Sequence, residues 1–166
     1  QLSGGLSLNP EQFLQVQAAP TLDLTSTVTM EAWVKVERFD NTWTPLFYKG
    51  NGNTQQRSYS IWLNADGRVH LSTGDGGNQF IESASGLMTT GEWHHVAGVI
   101  DRVSGSLRIV IDGVERATGT VRTGSATSNA GTPLMLGESI ETNGSDARLI
   151  GTIDDVRVWN VARTTA

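Results

Sequence analysis

The sequence predicts an all-β protein built as an antiparallel sandwich of two packed sheets. Three observations predict it: apolar residues recur at every second position in several segments, turn dipeptides such as Asp112-Gly113 separate those segments, and no segment has convincing helical periodicity. Short strands with frequent turn signals are typical of antiparallel sandwiches. With 166 residues the chain is long enough for one substantial core. We therefore treat residues 1–166 as a single domain.

The first clear strand covers residues 28–36, "VTMEAWVKV", and its apolar side chains share one face. The segment "SYSIWLN" (58–64) alternates in the same way, with Tyr59, Ile61 and Leu63 opposite Ser60 and Trp62. An Ala-Asp-Gly turn at 65–67 leads from it into "RVHLSTG" (68–74). This pattern predicts a β-hairpin.

Further short strands follow in the second half of the chain. The segments "WHHVAGVID" (93–101) and "SLRIVID" (106–112) flank a four-residue turn, and Asp112-Gly113 turns the chain into "VERATG" (114–119). The segments "PLMLGE" (133–138) and "RLIGTIDDVRVWN" (148–160) close the series. About a dozen strand candidates result.

Composition excludes several classes of protein. The net charge is −5, and the sequence has no Lys/Arg cluster that could follow a phosphate backbone, so nothing predicts a nucleic-acid partner. The chain has no cysteine, which rules out disulfides and thiolate metal sites. No apolar run is long enough for membrane insertion. The chain starts at Gln1 without a signal-peptide pattern, so we expect a signal peptide that is absent or removed and a module of a longer protein.

The strand "GTIDDVRVWN" (151–160) places a carboxylate on an apolar face. Simple alternation puts Asp154 with Val156 and Val158, the side expected to be buried, and Asp155 on the other side with Arg157. A buried carboxylate needs a partner, because an unpaired buried charge is very costly. We expect Asp155 to pair with a neighbouring arginine.

Three segments together resemble a known family. They are "APTLDLTSTVTMEAWVKV", "GEWHHVAGVIDRVSGSLRIVIDGVERATG" and "PLMLGES…LIGTIDDVRVWNVART", and they span about residues 6–163 in the family's order. They are similar to the laminin G-like and pentraxin group of the concanavalin A-like lectin and glucanase superfamily. The resemblance implies a jelly roll of two antiparallel sheets with loops along the rims.

The sequence predicts that the protein is not an enzyme. Glycosidases of this superfamily carry a Glu-x-Asp-x-x-Glu strand, and that spacing is absent: Trp33 stands two residues after Glu31. His94 and His95 are strand neighbours that point to opposite faces, so they cannot chelate one metal together. There is also no Gly-x-Ser-x-Gly nucleophile motif.

The resemblance implies calcium, the metal that this family uses most often and that binds to oxygen ligands alone. It implies two candidate sites. At the first, Asp154 would bind a structural calcium with backbone carbonyls from residues 8–11; the alternative is that its carboxylate accepts backbone N–H groups without metal. At the second, an acidic pentraxin-like loop would bind calcium with help from Asn51 and Asn53 on a separate loop. The acidic loop's candidate ligands are Glu138, Glu141, Asn143 and Asp146. The alternative there is a solvated acidic loop.

Aromatic and amide side chains are the candidates for ligand contact. Trp43 in the loop-like "FDNTWTPL" and Trp62 on a polar strand face are able to stack on sugar rings, and Trp43 alternatively packs back onto the protein. The Gly-rich segment "TGDGGNQ" (73–79) offers Asp75, Asn78 and Gln79 for hydroxyl recognition, or forms an ordinary turn.

These features predict a non-catalytic recognition module that binds a glycan or a cell-surface protein, with calcium as the expected cofactor. We expect it to belong to a larger secreted or surface protein of bacterial type. Two alternatives stay open: a structural spacer of a multidomain adhesin or enzyme, and a degenerate glucanase. Which ligand is bound does not follow from the sequence, because fold does not fix function.

Overall fold

The computed structural model, which describes residues 4–141 and 148–164, has two antiparallel sheets of six strands each. The strands are β1 (Leu6–Leu8), β2 (Leu14–Val16), β3 (Thr27–Arg38), β4 (Trp43–Lys49), β5 (Tyr59–Asn64), β6 (Val69–Gly74), β7 (Asn78–Glu82), β8 (His94–Asp101), β9 (Ser106–Ile111), β10 (Val114–Thr120), β11 (Leu134–Leu136) and β12 (Ile150–Trp159). Two 3-10 turns, Pro20–Leu22 and Thr54–Gln56, complete the described elements. Nowhere in these residues is there a helix long and apolar enough to cross a membrane.

Strand order identifies the sandwich as a jelly roll. The first sheet runs β1-β12-β3-β8-β9-β10 and the second runs β2-β11-β4-β5-β6-β7. The predicted hairpins β5–β6, β8–β9 and β9–β10 are all present as neighbouring pairs. The terminal strands β1 and β12 pair with each other, so the two ends of the chain lie side by side in the first sheet. The predicted all-β jelly roll is confirmed.

The core lies between the sheets, where the predicted alternation places it. The inward side chains of β3 are almost completely buried: Val28, Met30, Ala32, Val34 and Val36. From the second sheet, Ile61, Leu63, Val69 and Leu71 belong to the same cluster. Burying each large aliphatic side chain of this kind stabilises the fold by about 1.5–3 kcal/mol. The period of two along β3 and β5 is therefore the signal that fixes which face of each sheet points outward.

The strand β12 contains a β-bulge that changes which way Asp154 points. The register shifts between Asp154 and Arg157, so Asp154 pairs with Trp33 and Arg157 pairs with Glu31. Asp155 sits in the bulge with a left-handed backbone, φ 50°. The extra residue restores Asp154 and Arg157 to the same, outer face of the first sheet.

The expectation that Asp154 lies on the buried face with the two valines is therefore wrong. Val156 and Val158 pack against the core, whereas Asp154 is half-buried on the outer face. Its Oδ1 accepts the N–H of Asp155 at 2.8 Å. The predicted pairing of Asp155 is confirmed, since its Oδ1 lies 3.1 Å from Nη2 of Arg157.

Candidate functional site

Three aromatic rings meet on the outer face of the second sheet. The register pairs Trp62 of β5 with His70 of β6, and Ser72 of β6 with Phe80 of β7. Because alternate residues share a face, His70 and Phe80 point outward beside each other. Trp43, the first residue of β4, completes the group. We call Trp43, His70 and Phe80 the aromatic face.

The rings of the aromatic face pack into a row. The His70 and Phe80 rings are stacked, with centroids 4.9 Å apart and planes inclined by 23°. Trp43 meets His70 edge-on, with centroids 5.3 Å apart. Phe80 is 52% exposed although it is a large apolar side chain. An exposed ring held at a fixed orientation is the geometry with which proteins stack on flat apolar surfaces of a ligand.

Polar groups border the aromatic face. The carboxylate of Glu82 accepts from Nη1 of Arg68 at 2.8 Å and lies 3.0 Å from Nδ1 of His70. Arg68 also contacts Asp66 at 2.9 Å, and its guanidinium lies over the Trp43 ring. Burial lowers the pKa of His70 below its usual value, although the hydrogen bond that the Glu82 carboxylate accepts from it opposes this. Glu82 and Arg68 are thus the charged side chains that border the aromatic face.

Trp62 forms the floor of this face and does not line it. It is only 2% exposed and packs with Tyr48 and Met135. The guanidinium of Arg57 lies over its ring, 4.8 Å from the centroid. The expectation that Trp62 stacks on a ligand is therefore wrong. Trp62 lies on the predicted face of β5, but the loop residue Glu141 holds Arg57 over its ring.

Trp43 is on a strand and not in a loop, which corrects the sequence-based interpretation of "FDNTWTPL". It is half-buried, so part of its ring remains open beside His70. Both alternatives for Trp43 are thus partly realised, because the ring packs onto the protein and also borders the exposed surface.

The loops carrying Asn51 and the acidic residues lie together. Asn51 donates to Oε1 of Gln56 at 2.6 Å, and Asn53 accepts the N–H of Gln55 at 2.9 Å at the start of the 3-10 turn. The same turn reaches the acidic loop, since Thr54 Oγ1 lies 3.3 Å from Oε2 of Glu141. Asn51 and Asn53 remain exposed at the rim of the second sheet.

The glycine-rich segment mostly serves the fold. Asp75 is bound by the guanidinium groups of Arg102 and Arg122, and Gln79 accepts the N–H of Arg122 at 2.6 Å. The two arginines hold the pKa of Asp75 below its usual value against the opposing effect of burial.

Asn78 shares the side of Phe80, because the two residues stand two positions apart on β7 and pair with Gly74 and Ser72 of β6. Asp75 and Gln79 are thus held by contacts within the protein, and their role in ligand contact stays a prediction. Asn78 Oδ1 is buried without a hydrogen-bond partner in the described structure.

The carboxylates predicted to bind calcium have guanidinium partners. Both oxygens of Glu141 accept from Arg57 at 2.6 Å, and Glu138 is bound by Arg148. A carboxylate already paired in this way does not fit a calcium ligand without losing its arginine. The described residues contain no cluster of three or more acidic or histidine side chains arranged for a metal. Asn143 and Asp146 lie outside the described residues, and calcium at this loop stays a prediction.

The proposed partners of Asp154 lie elsewhere. Leu8 pairs with Gly151, three positions along β12 from Asp154, so the backbone of residues 8–11 begins about 10 Å away and continues in the opposite direction. The predicted carbonyl ligands are therefore not beside this carboxylate. The hydrogen bond from the Asp155 N–H agrees with the metal-free alternative.

The histidine pair serves two different contacts. His94 is buried, and its Nδ1 lies 2.8 Å from Oδ2 of Asp112 in the Asp-Gly turn, while its Nε2 accepts the N–H of Thr89. His95 points to the other face and packs edge-on against Trp33. His94 thus connects strand β8 to two neighbouring turns, and His95 connects it to strand β3.

Sequence reasoning missed Phe80, His70, Arg68 and Glu82. His70 and Glu82 are cross-strand partners, and only the β6–β7 register brings them together. The one available signal is the alternation of Asn78, Phe80 and Glu82 at every second position in "NQFIE", which places a large apolar residue on a polar face.

Comparison with known proteins agrees with this fold. The binding module CBM40 of the Ruminococcus gnavus IT-sialidase, solved with α2,3-sialyllactose, has a TM-score of 0.81 at 14% identity, covering 98% of this chain and 92% of that chain. Domain 4 of a GH43 extracellular arabinanase from Geobacillus stearothermophilus, solved with arabinotriose, has a TM-score of 0.71 at 24% identity, covering 97% and 72%. A heptameric SAP-like pentraxin from Limulus polyphemus has a TM-score of 0.61 at 20% identity, covering 91% and 76%.

No curated protein matches the sequence of this chain. The structural relatives have low sequence identity to this chain, so their similarity shows the fold alone. The family is shown by a laminin G-like sequence model that matches residues 10–166. The chain therefore belongs to the concanavalin A-like lectin/glucanases superfamily.

Proposed function

We propose that this protein is a non-catalytic carbohydrate-binding module whose ligand stacks on the aromatic face. The observation that carries the proposal is Phe80, an exposed ring held against His70 and bordered by Glu82 and Arg68. Sugar rings have apolar C–H faces and polar edges, and this combination of a ring with charged hydrogen-bonding groups complements both.

The solved relatives support a glycan as the ligand. Two of them, at 14% and 24% identity, were solved with sialyllactose and with arabinotriose. Their ligands belong to those proteins, and for this chain they support only the class of molecule. Since the arabinanase relative is an extracellular enzyme, we also propose that this module works outside the cell as part of a larger secreted or surface protein.

The geometry supports binding without cleavage. Glycoside hydrolysis needs an acid and a second carboxylate placed on either side of the bond. On this face Glu82 is hydrogen-bonded to both Arg68 and His70, and Asp66 is paired with Arg68. Both carboxylates thus serve as fixed partners of an arginine, which suits recognition.

A glycan array followed by calorimetry tests the proposal. We expect wild type to bind at least one oligosaccharide and Phe80→Ala to weaken that binding about tenfold, which corresponds to the loss of about 1.4 kcal/mol. The matched control is Val103→Ala, since Val103 is 72% exposed on the turn between β8 and β9, away from the second sheet.

Because Phe80 is exposed, its replacement should leave the melting temperature nearly unchanged, which separates loss of binding from loss of folding. An array with no bound glycan would overturn the proposal and favour a structural spacer. Equal affinity of Phe80→Ala and wild type would place the binding site elsewhere. Release of reducing sugar from a bound oligosaccharide would overturn the non-catalytic assignment.

A further inference from the structure

The charges around the aromatic face bear on which glycans it accepts. Proteins that read a sugar carboxylate do so best with a guanidinium free to form a bidentate pair. A site for an acidic sugar would therefore need an unpaired cation near Phe80. The structure describes all 12 Lys and Arg residues, because the sequence places none in the undescribed segments 1–3, 142–147 and 165–166.

Nine of these 12 cations, all of them arginines, already have a carboxylate within 4.0 Å. The three others lie away from the aromatic face. Lys35 is on the outer face of the first sheet beside Trp93, and Arg116 is exposed on β10, the edge strand of that sheet. Lys49 is fully buried and donates to the carbonyl of Thr132.

The two arginines at the aromatic face are paired with more carboxylates than there are arginines. Arg57 is paired with Glu141, and Arg68 is paired with both Glu82 and Asp66. Among the residues that the structure describes, three carboxylates therefore face two guanidinium groups. Arg57 is also buried beneath the surface, so it is unable to reach a ligand without breaking its bidentate pair. A ligand carboxylate would meet a net negative surface, and like charges brought together at a binding surface repel each other.

We propose that the aromatic face takes an uncharged saccharide and rejects sugars that carry a carboxylate. The inference rests on the proposed function, because it names the ligand class of the same site. Glu82 contributes most to this selectivity, since its carboxylate contacts His70 directly and it lies two residues along β7 from Phe80, on the same face. A neutral hydroxyl is able to donate to Glu82 while Arg68 keeps its own pair.

Matched neutral and acidic oligosaccharides test this selectivity. The probes are lactose against α2,3-sialyllactose, and arabinotriose together with an array of uronic acid-containing glycans. For wild type we expect every acidic probe to bind at least about tenfold more weakly than its neutral counterpart. Affinity for the neutral probe should stay within about twofold between roughly 50 and 500 mM NaCl, because salt screens only charge–charge attraction.

The variant Glu82→Gln sharpens the test. It removes one negative charge and leaves Arg68 paired with Asp66 alone, so the affinity ratio of α2,3-sialyllactose to lactose should rise by about tenfold. The control Glu115→Gln removes an exposed carboxylate beside Arg108 on β10 of the first sheet and should leave the ratio unchanged. Wild type that prefers sialyllactose, with binding lost in Phe80→Ala, would overturn the selectivity and leave the proposed function standing. An array on which no glycan binds would overturn the proposed function itself.

Discussion

Arg57 and Glu141, 84 residues apart in sequence, form a bidentate ion pair in which Nε and Nη2 each donate to a different carboxylate oxygen at 2.6 Å. Both side chains are almost fully buried, and Arg57 also donates to Ser72 Oγ at 2.8 Å. The pair holds the loop after β11 against the outer face of the second sheet and covers the ring of Trp62. It therefore buries the part of this face around Trp62, whereas the part around Phe80 stays exposed.

Removing one partner of this pair should be strongly destabilising. Glu141→Gln leaves the Arg57 charge buried without its counter-ion, and we expect the free energy of unfolding to fall by about 3–5 kcal/mol. Urea unfolding measures the loss. The native variant should also fluoresce at longer wavelength than wild type, because the Trp62 ring is then less well covered. The control is Arg148→Gln, which breaks the more exposed pair with Glu138 in the same loop and should cost at most about 1 kcal/mol.

The double variant Arg57→Met with Glu141→Leu separates charge from packing. With both charges gone, most of the lost stability should return, because apolar residues of similar size often replace a buried ion pair at little cost. A double variant as unstable as Glu141→Gln would mean that the geometry of the loop, and not the buried charge, determines the stability.

His70 should make stability depend on pH below neutrality. Burial lowers its pKa in the folded state from the ordinary 6.5, so the unfolded chain binds its proton more readily than the folded chain does. Its contribution to the free energy of unfolding is complete above about pH 6.5 and is lost as the pH falls from there through the lower folded pKa. Wild type should therefore lose more stability between pH 7.5 and pH 5 than His70→Gln does. Equal losses in the two proteins would contradict the prediction.

The bulge at Asp155 should tolerate glycine and reject β-branched residues. Asp155 has φ 50°, a conformation that glycine adopts freely and that costs ordinary L-residues about 1–2 kcal/mol. We expect Asp155→Gly to keep or raise the melting temperature and Asp155→Val to lower the free energy of unfolding by about 1–2 kcal/mol.

A control is needed because Asp155 also pairs with Arg157. Both side chains of that pair are 47% exposed, so its loss should matter little. Arg157→Gln removes the pair without changing the backbone of residue 155. A decrease in stability for Arg157→Gln as large as for Asp155→Val would show that the ion pair, and not the backbone conformation, is responsible.

The fold could be predicted from the sequence because its signals are local. The period of two in β3 and β5 and the Asp-Gly turn at Asp112 each depend on neighbouring residues only. Alternation failed at Asp154, since a single extra residue in the bulge reverses which face the side chain takes, and nothing in "IDDVRV" marks that insertion. A resemblance supplied the jelly-roll topology, which alternation alone does not specify.

The candidate site was predicted only in part, because its contacts join distant segments. Trp43 was identified, but its neighbours His70 and Phe80 are set by the pairing of three strands. Trp62 was placed on the proper face, yet its burial depends on the Arg57–Glu141 pair, whose partners lie on two different loops. Strand periodicity carries no information about such pairs.

Gly74 should couple the stability of the fold to the shape of the site. A Cβ added there would lie 2.2 Å from the carbonyl oxygen of Gln55, so alanine requires the Thr54–Gln56 turn to move off the second sheet. We expect Gly74→Ala to lower the free energy of unfolding by about 1–3 kcal/mol, the usual cost of overpacking. The same movement would shift the turn that contacts Glu141, so glycan affinity measured by calorimetry should fall as well.

Gly131→Ala is the matched control, because a Cβ there meets nothing within 4 Å and its φ is not left-handed. Unchanged affinity in a destabilised Gly74→Ala would show that the ligand does not depend on the position of this turn.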